Sequence, residues 1–176
     1  MLCERPLLGG EEIVVEKNGP GITAREPSFT AMWHAWLRNT HATVHPSPIF
    51  YDTRSIQLVP EQTLGQVVSV MESFSPETAD AIILMAVIRH RVLIDRLPQA
   101  HERGVRQLVI LGAGLDTTAF RLPEWAHQWR VFEVDRPATQ EWKRQKIAGV
   151  CWEVSPSART VIHVRPDIKQ GKCDGD

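Results

Sequence analysis

The first sustained pattern of apolar positions along the chain is helical. From residue 29 onward, apolar side chains recur three and four positions apart, which places them on one helix face: Phe29, Met32, Trp33, Trp36 and Leu37. Ser28 stands immediately before this run, where a hydroxyl can accept from the first free amides of a helix. The pattern predicts an amphipathic helix that begins at residue 29 and ends before the turn marked by Pro46 and Pro48.

A second helix is predicted from Pro76 to about Leu97. Ser75 offers a hydroxyl cap, Pro76 suits the first helical position, and Glu77 suits the positive end of the helix dipole. Apolar residues then follow on one stripe: Ile83, Val87, Ile94 and Leu97. Because Pro98 has no amide donor, it is expected to end or kink this helix.

Three short runs rich in β-branched residues predict strands at residues 108–111, 130–134 and 160–164. The first run stops at a loop that begins with Gly112 and Gly114 and extends to Thr117, called the glycine turn below. A helix from Pro137 to a cap at Gly149 separates the second run from the third. Alternating strands and helices predict an α/β fold, a Rossmann-like doubly wound parallel sheet preceded by a helical segment. In such a sheet the ligand crevice lies at the carboxyl ends of the strands.

The pattern divides the chain into three parts. Residues 1–27 mix glycine, proline and charge without a period and are expected to form a flexible lead-in. Residues 28–104 form the helical part, and residues 105–176 hold the first strands of the Rossmann-like core.

Composition narrows the class of partner. The 176 residues carry 20 Lys and Arg against 21 Asp and Glu, a formal net charge of −1, so no broad attraction to nucleic acid or to an anionic membrane is expected. The longest apolar run, residues 81–88, is far shorter than the roughly 20 residues that cross a bilayer. A small-molecule or protein partner is expected instead.

The three cysteines are Cys3, Cys151 and Cys173. An odd number of widely scattered cysteines fits a reducing compartment better than a disulfide framework, so a cytoplasmic location is expected. Their spacing, even with His163 added, matches no zinc motif, and no metal site is predicted.

Candidate chemistry lies at the first strand's end. Gly112 and Gly114 allow a ligand to approach the backbone closely, and Asp135 follows 23 residues after Gly112, a spacing that suits a ribose diol. An ordinary strand-to-helix turn, with Asp135 as a helix N-cap, explains the same spacing. Position 117, where a dinucleotide fingerprint has its third glycine, is Thr117. This disfavours a nicotinamide dinucleotide and favours an adenosyl ligand without a pyrophosphate, such as S-adenosylmethionine.

The segment LVILGAGLDTTAFRL at residues 108–122, followed by FEVDRP at residues 132–137, resembles the leucine carboxyl methyltransferase family. That family contains the methyltransferases of the protein phosphatase 2A C-terminal leucine and many bacterial S-adenosylmethionine-dependent O-methyltransferases. The resemblance implies a class I methyltransferase fold, S-adenosylmethionine as cofactor and O-methylation of a carboxylate or hydroxyl. It also implies a small-molecule or protein C-terminal carboxylate as substrate.

The resemblance also implies residue roles. Gly112, Gly114 and Asp135 match cofactor-binding positions, and Asp167 and Ile168 match positions that contact the adenine. On the second helix, Arg89 matches the arginine that holds the cofactor's carboxylate, with Arg91 as the alternative. For Arg38, which aligns loosely with a further basic residue of the site, an exposed surface charge is favoured. Asp116 and Thr117 are expected to stabilise the turn through the loop's own amides.

Family members continue well beyond the end of this sequence, so the resemblance implies that only the N-terminal half of the fold is present. Two hypotheses follow. One is an S-adenosylmethionine-dependent O-methyltransferase, and the other is a catalytically incomplete cofactor-binding fragment or regulatory module without turnover. On the second hypothesis, the chain is expected to be poorly stable alone. The sequence identifies no catalytic base and no oligomeric state.

Overall fold

The computed structural model describes residues 28–150, residue 152 and the strand at 161–164. Four helices lie in this part of the chain: α1 (Phe29–Val44), α2 (Glu61–Glu72), α3 (Pro76–Glu102) and α4 (Pro137–Gly149). Three strands accompany them: β1 (Gln107–Leu111), β2 (Arg130–Val134) and β3 (Val161–Val164). The predicted lead-in at residues 1–27 lies outside the described residues.

Both predicted N-caps are confirmed. The Ser28 hydroxyl accepts a hydrogen bond from the amide of Ala31 at 3.2 Å, and the Ser75 hydroxyl accepts one from the amide of Thr78 at 3.3 Å. Pro76 occupies the first turn of α3. These local bonds fix where α1 and α3 begin, and therefore which of their side chains face the glycine turn.

The predicted end of the second helix is wrong, because α3 continues through Pro98 to Glu102. Leu97 is buried and Ala100 packs against the same apolar cluster, which outweighs the one backbone bond that a proline removes. The helix ends instead at Glu102, and Gly104, two positions later, closes the last turn with a φ of 86°. Its amide donates to the carbonyl of His101, and the Val105 amide donates to that of Ala100, the paired bonds of a Schellman motif.

The sequence interpretation did not include α2. Thr63, Val67 and Met71 lie four positions apart and are the buried face of this helix. Met71 packs with Leu37 and Ala86 in an apolar cluster. Helix α2 thus supports α1 and α3.

The strands form a parallel sheet in the order β1, β2, β3. An α/β arrangement with a parallel sheet is therefore present. Between β1 and β2, where the strand and helix alternation predicts a helix, the chain forms two short 3₁₀ turns at Thr118–Phe120 and Glu124–Ala126. Leu111 of β1 pairs with Val134 of β2, so both strands end at the same edge of the sheet.

The apolar core holds the helices against this edge. One cluster packs the end of α3 against the sheet through Leu97, Ala119, Leu122, Ala126, Trp129 and Val131. A second joins α1 to the glycine turn through Met32, Ala35, Leu58, Val59 and Leu115. No helix in the described part of the chain is long and apolar enough to cross a membrane.

Candidate functional site

A cavity of about 400 Å³ opens at the carboxyl end of β1. Helix α1 contributes His34 and Arg38 to its wall, and α3 contributes Arg89 and His90. The glycine turn and Asp135 close the opposite side. Four residues predicted as cofactor ligands therefore line one cavity: Arg89, Gly112, Gly114 and Asp135. Asp167 and Ile168 lie outside the described residues.

The glycine turn needs its glycines for conformational reasons. Gly112 has a φ of 63° and Gly114 a φ of 51°, in the left-handed region that side chains disfavour. A Cβ on Gly114 would also lie 3.1 Å from the Cβ of Ala31. At this position α1 approaches the turn so closely that only glycine fits without displacement, whereas the space around Gly112 is open.

Asp135 supports the turn and retains acceptor capacity. Its Oδ2 accepts from the Gly114 amide at 2.6 Å, and its Oδ1 accepts from the Arg136 amide at 2.6 Å. A carboxylate has about four acceptor positions, so two remain for a ligand such as a ribose diol. The alternative role as N-cap is wrong, because Arg136 is the N-cap of α4.

The side chains of Arg89 and Arg91 have different partners. The Arg91 Nε donates to both oxygens of Asp95 at 2.9 and 2.8 Å, and its Nη1 donates to the carbonyl of Ile49. Arg89 lines the cavity, and its Nη2 lies 3.2 Å from Nδ1 of His34. Among the described residues, Arg89 has no ion pair with a carboxylate. Of the two arginines, only Arg89 is free to meet an anion in the cavity.

His34, which the sequence left unassigned, is a neutral part of this wall. Burial, together with the charges of Arg89 and Arg38, lowers its pKa from 6.5 to about 4. A neutral imidazole can accept through one ring nitrogen, as the contact with Arg89 requires. His34 and Arg38 are four positions apart, which places both on the cavity side of α1.

The expected surface position of Arg38 is wrong. Only 3% of this residue is exposed, and its Nε donates to Asp52 Oδ2 at 2.9 Å. Its Nη2 donates to the carbonyl of Leu115 at 2.8 Å, which holds the glycine turn against α1. Burial alone would raise the pKa of Asp52, but the charges of Arg121 and Arg38 outweigh it and hold that pKa below its usual value. A buried charge is tolerated here because it is paired and hydrogen-bonded.

Thr117 and Asp116 stabilise the turn by different bonds. Asp116 Oδ1 accepts from the Thr118 amide at 2.5 Å, as expected for a turn-forming aspartate. The Thr117 hydroxyl bonds instead to side chains: it donates to Asp52 Oδ1 at 2.7 Å and accepts from Arg121 Nε at 2.8 Å. Asp52 therefore links α1 to the turn, because one of its oxygens accepts from Arg38 and the other from Thr117.

A buried ion pair joins β2 to α4 close to Asp135. Lys143 on α4 donates to Glu133 on β2 at 2.6 Å, and each side chain is 1% exposed. Burial raises the pKa of Glu133 even though the charge of Lys143 acts in the opposite direction. This pair holds the middle of α4 against the end of β2, which Asp135 follows.

Comparison with known proteins gives a matching family and several similar proteins. Residues 31–173 match the family described as leucine carboxyl methyltransferase. A protein of Parafrankia sp. (strain EAN1pec), named as an S-adenosyl-L-methionine-dependent methyltransferase, is 35% identical over 130 residues, which are 68% of this chain and 39% of that protein.

Two mycobacterial proteins with the same kind of name are also similar. One from Mycobacterium tuberculosis (strain ATCC 25618 / H37Rv) is 36% identical over 100 residues, 56% of this chain and 32% of the relative. One from Mycobacterium bovis (strain BCG / Pasteur 1173P2) is 38% identical over 96 residues, 54% of this chain and 32% of the relative. The matched region therefore spans between 32% and 39% of these relatives.

Proposed function

This chain belongs to the leucine carboxyl methyltransferase family, and we propose that it binds S-adenosylmethionine in the cavity beside its glycine turn and takes part in methyl transfer. S-adenosylmethionine is the cofactor of that family. One observation supports the proposal most strongly. The same cavity has Arg89, a cation that meets no carboxylate among the residues the structure describes, and Asp135, an acceptor-rich carboxylate beside two glycines.

The groups present suit the two polar parts of an adenosyl amino acid. The remaining acceptor positions of Asp135 suit the two ribose hydroxyls, and the donors of Arg89 suit the carboxylate. The space where a Cβ on Gly112 would stand is open, so the ligand can approach the backbone there. When bound, S-adenosylmethionine supplies an electrophilic methyl group on a positively charged sulfur.

We propose O-methylation of a carboxylate or a hydroxyl as the reaction. A carboxylate acceptor is already ionised at neutral pH and needs no general base, whereas a hydroxyl acceptor does. Rate enhancement then depends mainly on alignment of the acceptor oxygen with the methyl group. A small molecule or a protein C-terminal carboxylate in the cytoplasm, and neither nucleic acid nor a membrane, is the proposed partner.

A second candidate function is cofactor binding without turnover. Leu111 lines the cavity yet is 77% exposed, and Val109 on the same face of β1 is 55% exposed. Within the described residues, this side of the cavity is open to water. A site that excludes water and aligns an acceptor needs a wall there.

Calorimetric titration tests the proposal directly. S-adenosylhomocysteine should bind the purified chain and NAD should not, since the turn lacks the third glycine of a dinucleotide site. Arg89→Ala should weaken S-adenosylhomocysteine binding, and Arg91→Ala, outside the cavity, should not. Binding of NAD alone would overturn the proposal. Transfer of labelled methyl to an acceptor over several turnovers would exclude the second candidate.

A further inference from the structure

His34 and Arg89 meet across the cavity wall, where α1 lies beside α3. The Arg89 Nη2 is 3.2 Å from Nδ1 of His34. From this contact we infer that His34 is a positioning residue, a neutral acceptor that orients the Arg89 guanidinium toward the carboxylate of the ligand. The inference rests on the proposed function, because it assigns to Arg89 a carboxylate partner in the cavity.

The contact fixes the tautomer of His34. A guanidinium has only donors, so Nδ1 of the histidine must carry the lone pair and the proton must be on Nε2. Protonation of Nδ1 would abolish the hydrogen bond and add a cation next to Arg89. The groups around the ring, Arg38 from α1 with Arg89 and His90 from α3, are cationic or hydrogen-bond donors and favour the neutral ring.

A neutral acceptor has a specific advantage at this position. A carboxylate partner would neutralise Arg89, and the ligand's carboxylate would have to displace it. Arg91 illustrates that situation, because its Nε donates to both oxygens of Asp95. His34 restrains the guanidinium without neutralising its charge, so the full charge remains available to an anion.

Restraint of the Arg89 side chain also reduces the conformational entropy that is lost when the ligand binds. Arg89 is an exposed residue on a helix, and a long side chain of this kind samples many rotamers when free. Holding it in place before the ligand arrives reduces the loss of freedom on binding. The effect should appear only with ligands that have a carboxylate for Arg89 to hold.

Three variants separate these contributions. His34→Leu removes the acceptor and keeps much of the volume, His34→Asn retains an acceptor near the position of Nδ1, and His34→Asp adds a competing charge. Each is titrated with S-adenosylhomocysteine and with 5′-methylthioadenosine, which lacks the amino acid carboxylate. The His34→Leu variant should lose about twofold to tenfold in affinity for S-adenosylhomocysteine and none for 5′-methylthioadenosine.

The His34→Asn variant should bind both ligands as the wild type does. The His34→Asp variant should lose affinity for S-adenosylhomocysteine alone. Equal losses of both ligands in His34→Leu would indicate a structural role and overturn the inference, as would no loss of either. The loss should also disappear in an Arg89→Leu background, since His34 acts through that side chain.

A ligand-free measurement distinguishes failure of this inference from failure of the proposed function. Nitrogen NMR of the His34 ring at neutral pH should show the proton on Nε2, and Arg89→Leu should shift the Nδ1 resonance. If S-adenosylhomocysteine does not bind the wild type, the proposed function fails and NMR alone decides the contact. A proton on Nδ1, or a ring that does not respond to Arg89→Leu, would overturn the positioning role.

Discussion

His90 on α3 and Asp116 in the glycine turn are joined by a hydrogen bond of 2.8 Å between Nε2 and Oδ2. The other ring nitrogen of His90 lies 2.9 Å from the carbonyl of Ala86, so both ring nitrogens face oxygen acceptors. Burial alone would raise the pKa of Asp116, but the hydrogen bond from His90 and the charge of Arg38 outweigh it and lower that pKa. The helix that carries Arg89 is thus fastened to the loop that carries Gly112.

Removing this bond should destabilise the chain. His90→Ala leaves the carboxylate of Asp116, a residue with 6% exposure, without the hydrogen bond from the imidazole. The expected loss is about 1.5–3 kcal/mol of unfolding free energy, measured by urea denaturation. His90→Gln, which retains a donor, should lose less. Arg91→Ala serves as the control, because its ion pair with Asp95 is exposed and should contribute little. Equal stability of His90→Ala and the control would show that the contact is dispensable.

The pair of Arg38 and Asp52 should behave as a buried ion pair. Arg38→Met removes the hydrogen-bonded guanidinium partner of Asp52, which has 0% exposure, and leaves Arg121 at 3.6 Å as the remaining cation; it should lower the unfolding free energy by about 3 kcal/mol. Adding Asp52→Leu to that variant should cost less than Asp52→Leu costs in the wild type, because Arg38 is then not left without its carboxylate partner. Urea denaturation of both single variants and the double variant measures the coupling. Additive losses would contradict a direct pair.

The two glycines of the turn should respond differently to alanine. Gly112→Ala should cost about 1–2 kcal/mol for its left-handed backbone alone. Gly114→Ala should cost more, because the new Cβ lies 3.1 Å from that of Ala31. Thermal unfolding of Gly114→Ala with and without Ala31→Gly isolates the steric part, which the second substitution should relieve. Equal losses at the two glycines would mean that α1 moves away from the new Cβ at no cost in free energy.

Stability should fall as the solution becomes mildly acidic. The pKa of His34 is about 4 in the folded chain and returns to an ordinary 6.5 on unfolding, so between these values the unfolded chain binds the additional proton. Burial lowers the pKa of His41 in the same direction. The contribution of His34 is complete above about pH 6.5 and is lost as the pH falls toward about 4. Urea denaturation at about pH 5 and about pH 7.5 should show a smaller difference for His34→Leu than for the wild type. The same difference in both proteins would contradict the assignment.

Elements governed by neighbouring residues could be predicted from the sequence. The hydroxyls of Ser28 and Ser75 act within three residues, and the β-branched run before Gly112 forms β1. The end of α3 could not be predicted in the same way. Whether Pro98 stops a helix depends on what Leu97 packs against, and the relevant cluster draws on residues far along the chain.

The residues of the candidate site form the same two groups, those that neighbouring residues determine and those that distant contacts determine. Gly112, Gly114 and Asp135 follow directly from strand ends and can be recognised by spacing. Arg38 could not be placed, since its acceptors belong to Asp52 and to Leu115, which is 77 residues away. Nothing local to His90 indicates that it meets Asp116. The four-residue step from His34 to Arg38 was the one available signal that both face the same side of α1.

The most direct test of the account is the affinity of S-adenosylhomocysteine for the wild type and for Asp135→Ala, measured by calorimetry. The account predicts that the variant binds about 1–3 kcal/mol more weakly, because charged hydrogen bonds to the ribose are lost. A ligand lacking both ribose hydroxyls should bind the two proteins equally, which separates the ribose contact from the support that Asp135 gives to Gly114. Unchanged affinity of Asp135→Ala for S-adenosylhomocysteine would contradict the account and leave Asp135 as a support for the turn alone.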